Sequence, residues 1–172
     1  MTHFTFLRAE WPQIAGAASK AEALAMGDPR TACFYARRSL EMMVTWLYEH
    51  DGSLRRPYQD HLSALIYEPS FLALLESRLV AKAKLIKDLG NLAVHSTKPV
   101  RVEDSVAAVR DLFHLGYWQT RAALNGRRER GRFSIRFADR LRALARPSPW
   151  TTPAPERFKS RWRPRLLCGV TW

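Results

Sequence analysis

The sequence predicts an all-α protein: an antiparallel helical bundle of four longer and about two short helices over residues 4–124, followed by a basic tail. Two observations favour this fold. Apolar side chains recur every three or four residues over four long segments, the spacing that gives a helix one buried face. No segment shows the sustained alternation that is typical of a strand, and short loops between the helices favour antiparallel neighbours.

The first two helices have clear start signals. Pro12 suits a first helical turn, because its missing N–H would have no partner there anyway, and we expect this helix over residues 12–26. Asp28 and Pro29 are an N-cap and a first-turn proline, and the helix that they begin should extend over residues 29–50. This second helix has the longest clean pattern, so we place it at the centre of the bundle.

The remaining helices are separated by prolines and polar loops. We expect short helices over residues 58–67 and 70–76, divided at Pro69, because a residue before proline is disfavoured in a helix. Two long helices should follow over residues 79–95 and 102–124. Their apolar positions recur at helical spacing throughout.

The positive charge is concentrated in the tail. Residues 1–125 contain 15 Lys or Arg and 13 Asp or Glu, whereas residues 126–172 contain 13 Lys or Arg and only 3 Asp or Glu. The body is therefore nearly balanced, and most of the net charge of +12 lies beyond it. We expect the Arg-, Pro- and Trp-rich segment 125–172 to be disordered, because it cannot build a core of its own.

Composition also indicates the compartment and the absence of cofactors. No run of about 18 apolar residues occurs, which argues against a membrane span, and the N-terminus does not resemble a secretory signal. Cys33 and Cys168 form neither a disulfide framework nor a zinc motif, and Cys33 fits a small buried hydrophobe. We therefore expect a cytoplasmic protein with no metal and no cofactor.

The segment from Lys87 to His95 is chemically unusual for the end of a helix. Gly90 costs about 1 kcal/mol relative to alanine in a helix interior. Asn91 and His95 are four residues apart, so they lie on one face, one turn from each other. They are the candidate site residues. The alternative is that both side chains form hydrogen bonds that fix the helix end to a neighbouring helix.

Three basic residues are candidates for binding nucleic acid. Arg37 and Arg38 lie on the central helix, where an arginine can contact phosphate in a cleft shared with His95. Lys87 lies on the same helix as His95 and can add positive charge. The alternative for Arg37 is a structural ion pair with Glu41, four residues later.

Short sequence blocks occur in a fixed order over residues 4–120: Phe6-Leu7, Glu10-Trp11-Pro12, Asp28-Pro29-Arg30-Thr31-Ala32-Cys33-Phe34-Tyr35-Ala36-Arg37-Arg38, Leu40-Glu41, Leu54-Arg55, Pro57-Tyr58, Leu62-Ser63-Ala64-Leu65-Ile66, Leu89-Gly90-Asn91-Leu92-Ala93-Val94-His95, Leu112-Phe113-His114 and Tyr117-Trp118. This ordered series resembles the N-terminal helical domain of type I restriction enzyme R subunits. That domain belongs to a family of unknown function that is similar to the HEPN helical-bundle superfamily.

The resemblance implies a partner complex. R subunits join methylation and specificity subunits, and they have a nuclease domain and an ATP-driven DNA translocase after this helical module. The sequence contains no Gly-Lys-Ser/Thr phosphate loop and no nuclease motif. We therefore expect a non-catalytic accessory module, truncated before the nuclease and ATPase domains of an ATP-dependent endonuclease, that docks to restriction-modification partner subunits or to DNA.

Two alternatives stay open. HEPN ribonucleases use an arginine or similar polar residue followed four to six positions later by a histidine, which assists attack by the 2′-hydroxyl without a metal. Asn91 and His95 keep this spacing but lack the arginine, so the chain resembles a metal-independent ribonuclease, which can act as a homodimer. The other alternative is a stand-alone protein–protein adaptor with no affinity for nucleic acid.

Overall fold

The computed structural model describes the backbone of residues 2–129 and the side chains of residues 2–123. This part of the chain contains a short 3-10 helix, His3–Leu7, and six α-helices: α1 (Pro12–Leu24), α2 (Pro29–His50), α3 (Leu62–Tyr67), α4 (Pro69–Leu74), α5 (Ser77–His95) and α6 (Val102–Glu129). No strand occurs among these residues. The predicted all-α class, with four longer and two short helices, is confirmed.

Two helix bounds differ from the sequence prediction by four or more residues, and the other bounds agree to within two residues. Helix α3 begins at Leu62 rather than at Tyr58, because the His61 ring accepts a hydrogen bond from the backbone N–H of Ala64 and caps the helix there. Helix α6 extends at least to Glu129, the last residue that the structure describes and five residues beyond the predicted end. The rest of the segment predicted to be disordered lies outside the described residues.

The four long helices form an up-down-up-down bundle, in which α2 packs against α1, α5 and α6. Its central position is as the sequence predicts. Side-chain hydrogen bonds to backbone carbonyls join neighbouring helices: the hydroxyl of Ser39 on α2 donates to Ile14, and that of Ser105 on α6 donates to Ala25. The second bond places the start of α6 beside the end of α1, and hydrogen bonds from Arg30 to the carbonyls of Ala93 and Ser96 place the start of α2 beside the end of α5.

The N-terminal 3-10 helix covers one side of the core. Phe4 and Leu7 are buried, and Phe6 packs edge to face against Phe113 of α6. Burying each such side chain stabilises the fold by about 1.5–3 kcal/mol. Cys33 is also buried, as expected for a small hydrophobe, and its burial raises the pKa of the thiol to about 11. None of the helices described here has the length and apolar character needed to span a membrane.

Candidate functional site

The glycine marked by the sequence is a contact point between two helices. The buried face of α5 consists of Val80, Ala83, Ile86, Lys87, Gly90 and Ala93. A Cβ atom on Gly90 would lie 2.3 Å from Cβ and 2.5 Å from Cδ of Arg37 on α2. Only glycine lets the two helices approach this closely, so Gly90 has a packing role.

Arg37 lies in this interhelical contact rather than in an open cleft. Its Nη1 is 3.6 Å from Oε2 of Glu41, so the ion pair considered in the sequence is present. Its Nε is buried without a hydrogen-bond partner, and its side chain is only 25% exposed. Arg38 is exposed, and within the described residues it has no ion pair or side-chain hydrogen bond.

A cross-helix cap at the end of α5 was missed by the sequence analysis. Nη1 of Arg30 donates to the carbonyl oxygens of Ala93 and Ser96 at 2.6 and 2.8 Å, and Nη2 donates to that of Lys98 at 2.6 Å. The last carbonyls of a helix have no partner within it, and a guanidinium satisfies them well. The sequence contains one indirect signal for this cap. No glycine follows His95, so the usual glycine cap is missing and another group has to satisfy the last carbonyls of α5.

Asn91 and His95 lie in the same last turns of α5. Among the described residues they do not form the hydrogen bonds to a neighbouring helix that the structural alternative requires. Asn91 is half-buried, and His95 is exposed as the last residue of α5. Within the described part of the chain, neither side chain has a hydrogen-bond partner. Both polar groups are therefore free to meet a ligand, and their functional role stays a prediction.

Lys87 faces a different neighbour. It is buried, its Nζ lies 2.6 Å from the Asp88 carboxylate, and it sits 5.3 Å from the centre of the Tyr67 ring on α3. The hydrogen bond to Asp88 is the main reason why the pKa of Lys87 is raised. No hydrogen bond or ion pair among the described residues joins Lys87 to Arg37 or Arg38, so the role of these three basic residues in one site stays a prediction.

The structure instead places a charged and aromatic groove between the first half of α5 and the second half of α6. Its volume is about 560 Å³, and it is lined by Glu76, Arg78, Leu79, Lys82, His114, Tyr117, Trp118, Arg121 and Ala122. The lining residues come from two helices that are distant in sequence. No spacing pattern within one helix could have revealed it.

A buried carboxylate joins the two walls of this groove. Asp111 on α6 is 4% exposed, and its Oδ1 lies 2.5 Å from Nζ of Lys82 on α5. The same oxygen is 3.5 Å from Nε of Arg110 and 3.7 Å from Nδ1 of His114. A buried carboxylate needs such partners, because removing an unpaired charge from water is costly. Asp111 therefore neutralises Lys82 and leaves other cations to give the groove its charge.

The surroundings of His114 disfavour protonation of its imidazole ring. Burial is the largest cause of its lowered pKa, the positive charges of Lys82 and Arg110 add to it, and Asp111 opposes it. Its Nδ1 is buried and has no hydrogen-bond partner. These surroundings therefore favour the neutral form of the imidazole.

Two arginines supply the net positive charge. Arg78 and Arg121 are exposed on opposite walls, and neither has an ion pair within the described residues. The Arg121 guanidinium lies 5.9 Å from the centre of the Tyr117 ring. Tyr117 is 42% exposed, and Trp118 is partly buried against the core. Cations beside accessible aromatic rings are suited to binding an anionic ligand that also has planar groups.

No group of three or more His, Cys, Asp or Glu side chains is arranged to hold a metal ion within the part of the chain that the structure describes.

Comparison with known proteins gives a family but no activity. A family model described as a domain of unknown function, DUF4145, matches residues 19–128, which include the last six residues of α1, the whole of α2 to α5, and α6 up to residue 128. No curated protein and no solved structure matches the chain significantly. The family description contains no link to restriction enzymes or to the HEPN superfamily. Because the match covers more than half of the sequence, the chain belongs to the DUF4145 family of helical domains.

Proposed function

We propose that this chain is a non-catalytic accessory module of a type I restriction R-subunit-like assembly in the cytoplasm, and that it docks on nucleic acid through the α5–α6 groove. One observation supports the docking most directly. Two arginines that have no carboxylate partner among the described residues, Arg78 and Arg121, lie on opposite walls of a groove that also contains Tyr117 and Trp118. The ordered sequence blocks that resemble R-subunit N-terminal domains support the proposed assembly with restriction-modification partner subunits.

The charge distribution along α6 supports the same polyanionic partner. Arg121 lies in the groove, and the chain then enters residues 126–172, whose sequence has a net charge of +10. The guanidinium group matches phosphate geometry and can form two parallel hydrogen bonds with it. Each phosphate contact releases condensed counterions, so binding of this kind weakens as the salt concentration rises.

Removal of the two groove arginines tests the proposal. We expect Arg78→Ala/Arg121→Ala in the full chain to weaken binding of labelled DNA about tenfold near 100 mM salt, and to reduce the salt slope by about 1–2. The matched control is Arg8→Ala/Arg56→Ala, which removes two exposed charges outside the groove. Fluorescence anisotropy across a salt series provides both quantities.

Each outcome has a clear meaning. An equal loss in the groove variant and the control would show that overall charge, not the groove, binds DNA. An absence of salt-dependent binding by the unaltered chain would overturn the proposal and favour the protein–protein adaptor.

A second candidate function, a metal-independent ribonuclease that can act as a homodimer, is favoured by one observation. Asn91 and His95 lie one turn apart on α5, and neither has a hydrogen-bond partner within the described residues. A histidine in this position can transfer a proton while a 2′-hydroxyl attacks the neighbouring phosphate. Cleavage of labelled RNA in EDTA by the unaltered chain, and its loss in His95→Ala, would replace the non-catalytic proposal.

A further inference from the structure

We propose that the α5–α6 groove takes single-stranded nucleic acid, with a base stacked on Trp118 and the flanking phosphates held by Arg78 and Arg121. This inference rests on the proposed function and adds the class of nucleic acid and the contact that selects it.

The first argument is the position of apolar and charged groups in the groove. Its apolar lining comes from Leu79, Trp118 and Ala122, while the two unpaired guanidiniums are exposed on the α5 and α6 walls. A single strand can turn its bases toward an apolar surface and its phosphates toward the cations beside it. A duplex offers phosphates but keeps the faces of its bases stacked inside, so it leaves Trp118 without a partner.

The second argument concerns the basic groups that are already occupied. The ammonium of Lys82 is bound to the buried Asp111 carboxylate, and burial, together with the positive charges of Lys82 and Arg110, lowers the pKa of His114. The interior of the groove is therefore close to neutral, and the free positive charge is confined to Arg78 and Arg121. Glu76 is the acidic residue of the lining. This arrangement suits a neutral base between two phosphates better than an acidic peptide, which needs cations and no aromatic face.

The third argument is size. A volume of about 560 Å³ falls within the range of about 300–1,000 Å³ that is usual for small-molecule and cofactor sites. Trp118 is partly buried against the core, so its ring is fixed before a ligand arrives. A fixed aromatic ring loses little conformational entropy when a base stacks on it.

The decisive variant is Trp118→Leu, which keeps an apolar side chain and removes the aromatic face. In the full chain we expect about a tenfold loss of affinity for oligothymidine of about 20 nucleotides, and a change of less than about twofold for a duplex of equal length. Trp118→Phe should restore most of the affinity.

Phe34→Leu is the matched control, because Phe34 is an exposed aromatic residue outside the groove. This substitution should change neither the affinity for the single strand nor the affinity for the duplex. A parallel titration with oligouridine distinguishes RNA from DNA, and stacking by either supports the inference.

The possible failures are distinguishable. If the duplex binds as tightly as the single strand and Trp118→Leu weakens neither, the inference is wrong while the proposed function stands. If neither nucleic acid binds, the proposed function fails first. If polyglutamate competes as well as unlabelled oligothymidine, the groove is an acidic-peptide site. Where Trp118→Leu does not fold, the same titrations with Trp118→Met decide, because methionine also removes the aromatic face and its flexible side chain fills irregular gaps in a core.

Discussion

The two halves of α5 are held in the bundle by different forces. Its C-terminal half packs on α2 through the Gly90–Arg37 contact, and Arg30 binds the carbonyls at its end. Its N-terminal half meets α6 across the pair of Lys82 and the buried Asp111. The C-terminal half depends on close packing and on hydrogen bonds to backbone carbonyls, which salt barely affects. The N-terminal half also buries apolar side chains, but its ion pair adds a contribution that responds to salt and pH. The C-terminal half of α5 therefore has a structural role, whereas its N-terminal half borders the groove that is available for an anionic ligand.

Gly90→Ala should have the largest effect on the packed half. The added methyl group would meet Cβ of Arg37, which is attached to the backbone and cannot rotate away. Overpacking of this kind costs about 1–3 kcal/mol, and the better helix propensity of alanine recovers less than about 1 kcal/mol of it here. We expect the free energy of unfolding to fall by about 2 kcal/mol, measured by urea denaturation.

The matched control for Gly90→Ala is Gly16→Ala. Gly16 also lies inside a long helix, α1, but no atom lies within 4 Å of the position that its Cβ would take. Here the propensity gain should dominate, and stability should rise by about 0.5–1 kcal/mol. If both substitutions are stabilising, the close approach of α2 and α5 is not what requires Gly90.

Arg30→Ala should have the next largest effect. It leaves the carbonyls of Ala93, Ser96 and Lys98 without their cationic donor, and we expect a loss of about 1.5 kcal/mol. Arg38→Ala is the control, because this exposed arginine has no partner within the described residues, and its effect should stay within about 0.5 kcal/mol. Equal effects of the two substitutions would show that the cap does not stabilise α5.

Asp111→Asn should have a smaller effect, of a different kind. The amide oxygen of asparagine can still accept a hydrogen bond from Lys82, but the ionic part of the pair is lost, so we expect about 1 kcal/mol. This loss should shrink between about 0.1 M and about 1 M NaCl, since salt already weakens the original pair, while the loss in Arg30→Ala should not. An identical salt response in both variants would remove the distinction between the two halves.

Local signals in the sequence predicted the fold well and the contacts between helices poorly. Asp28 and Pro29 fixed the start of α2, because capping depends on residues next to each other in the chain. Gly90 was recognised as unusual, but its cause, Arg37, lies on another helix. The Lys82–Asp111 pair was missed for the same reason: helical spacing shows which residues share a face, not which faces meet.

The smallest predicted effect concerns the pH response of the charged half. Burial and the nearby positive charges lower the pKa of His114 below its usual 6.5. The unfolded chain therefore takes up this proton at a higher pH than the folded chain does. His114 thus favours the folded state fully above about pH 6.5, and this contribution falls as the pH drops toward the lowered pKa.

His114→Gln should remove that part of the acid sensitivity, and denaturation at about pH 7.5 and at about pH 5.5 measures the difference between the two chains.

A second variant, Asp111→Asn, tests the same surroundings of His114. Asp111 is the neighbour whose charge raises the pKa of His114, so Asp111→Asn should make the loss of stability on acidification steeper than in the unaltered chain. Equal pH slopes in all three chains would contradict the assigned surroundings of His114. A steeper slope in Asp111→Asn that disappears when His114→Gln is added would show that the carboxylate and the imidazole respond to the same charges. The groove between α5 and α6 would then have a neutral interior because Asp111 balances Lys82, which leaves Arg78 and Arg121 as the groups that attract a phosphate.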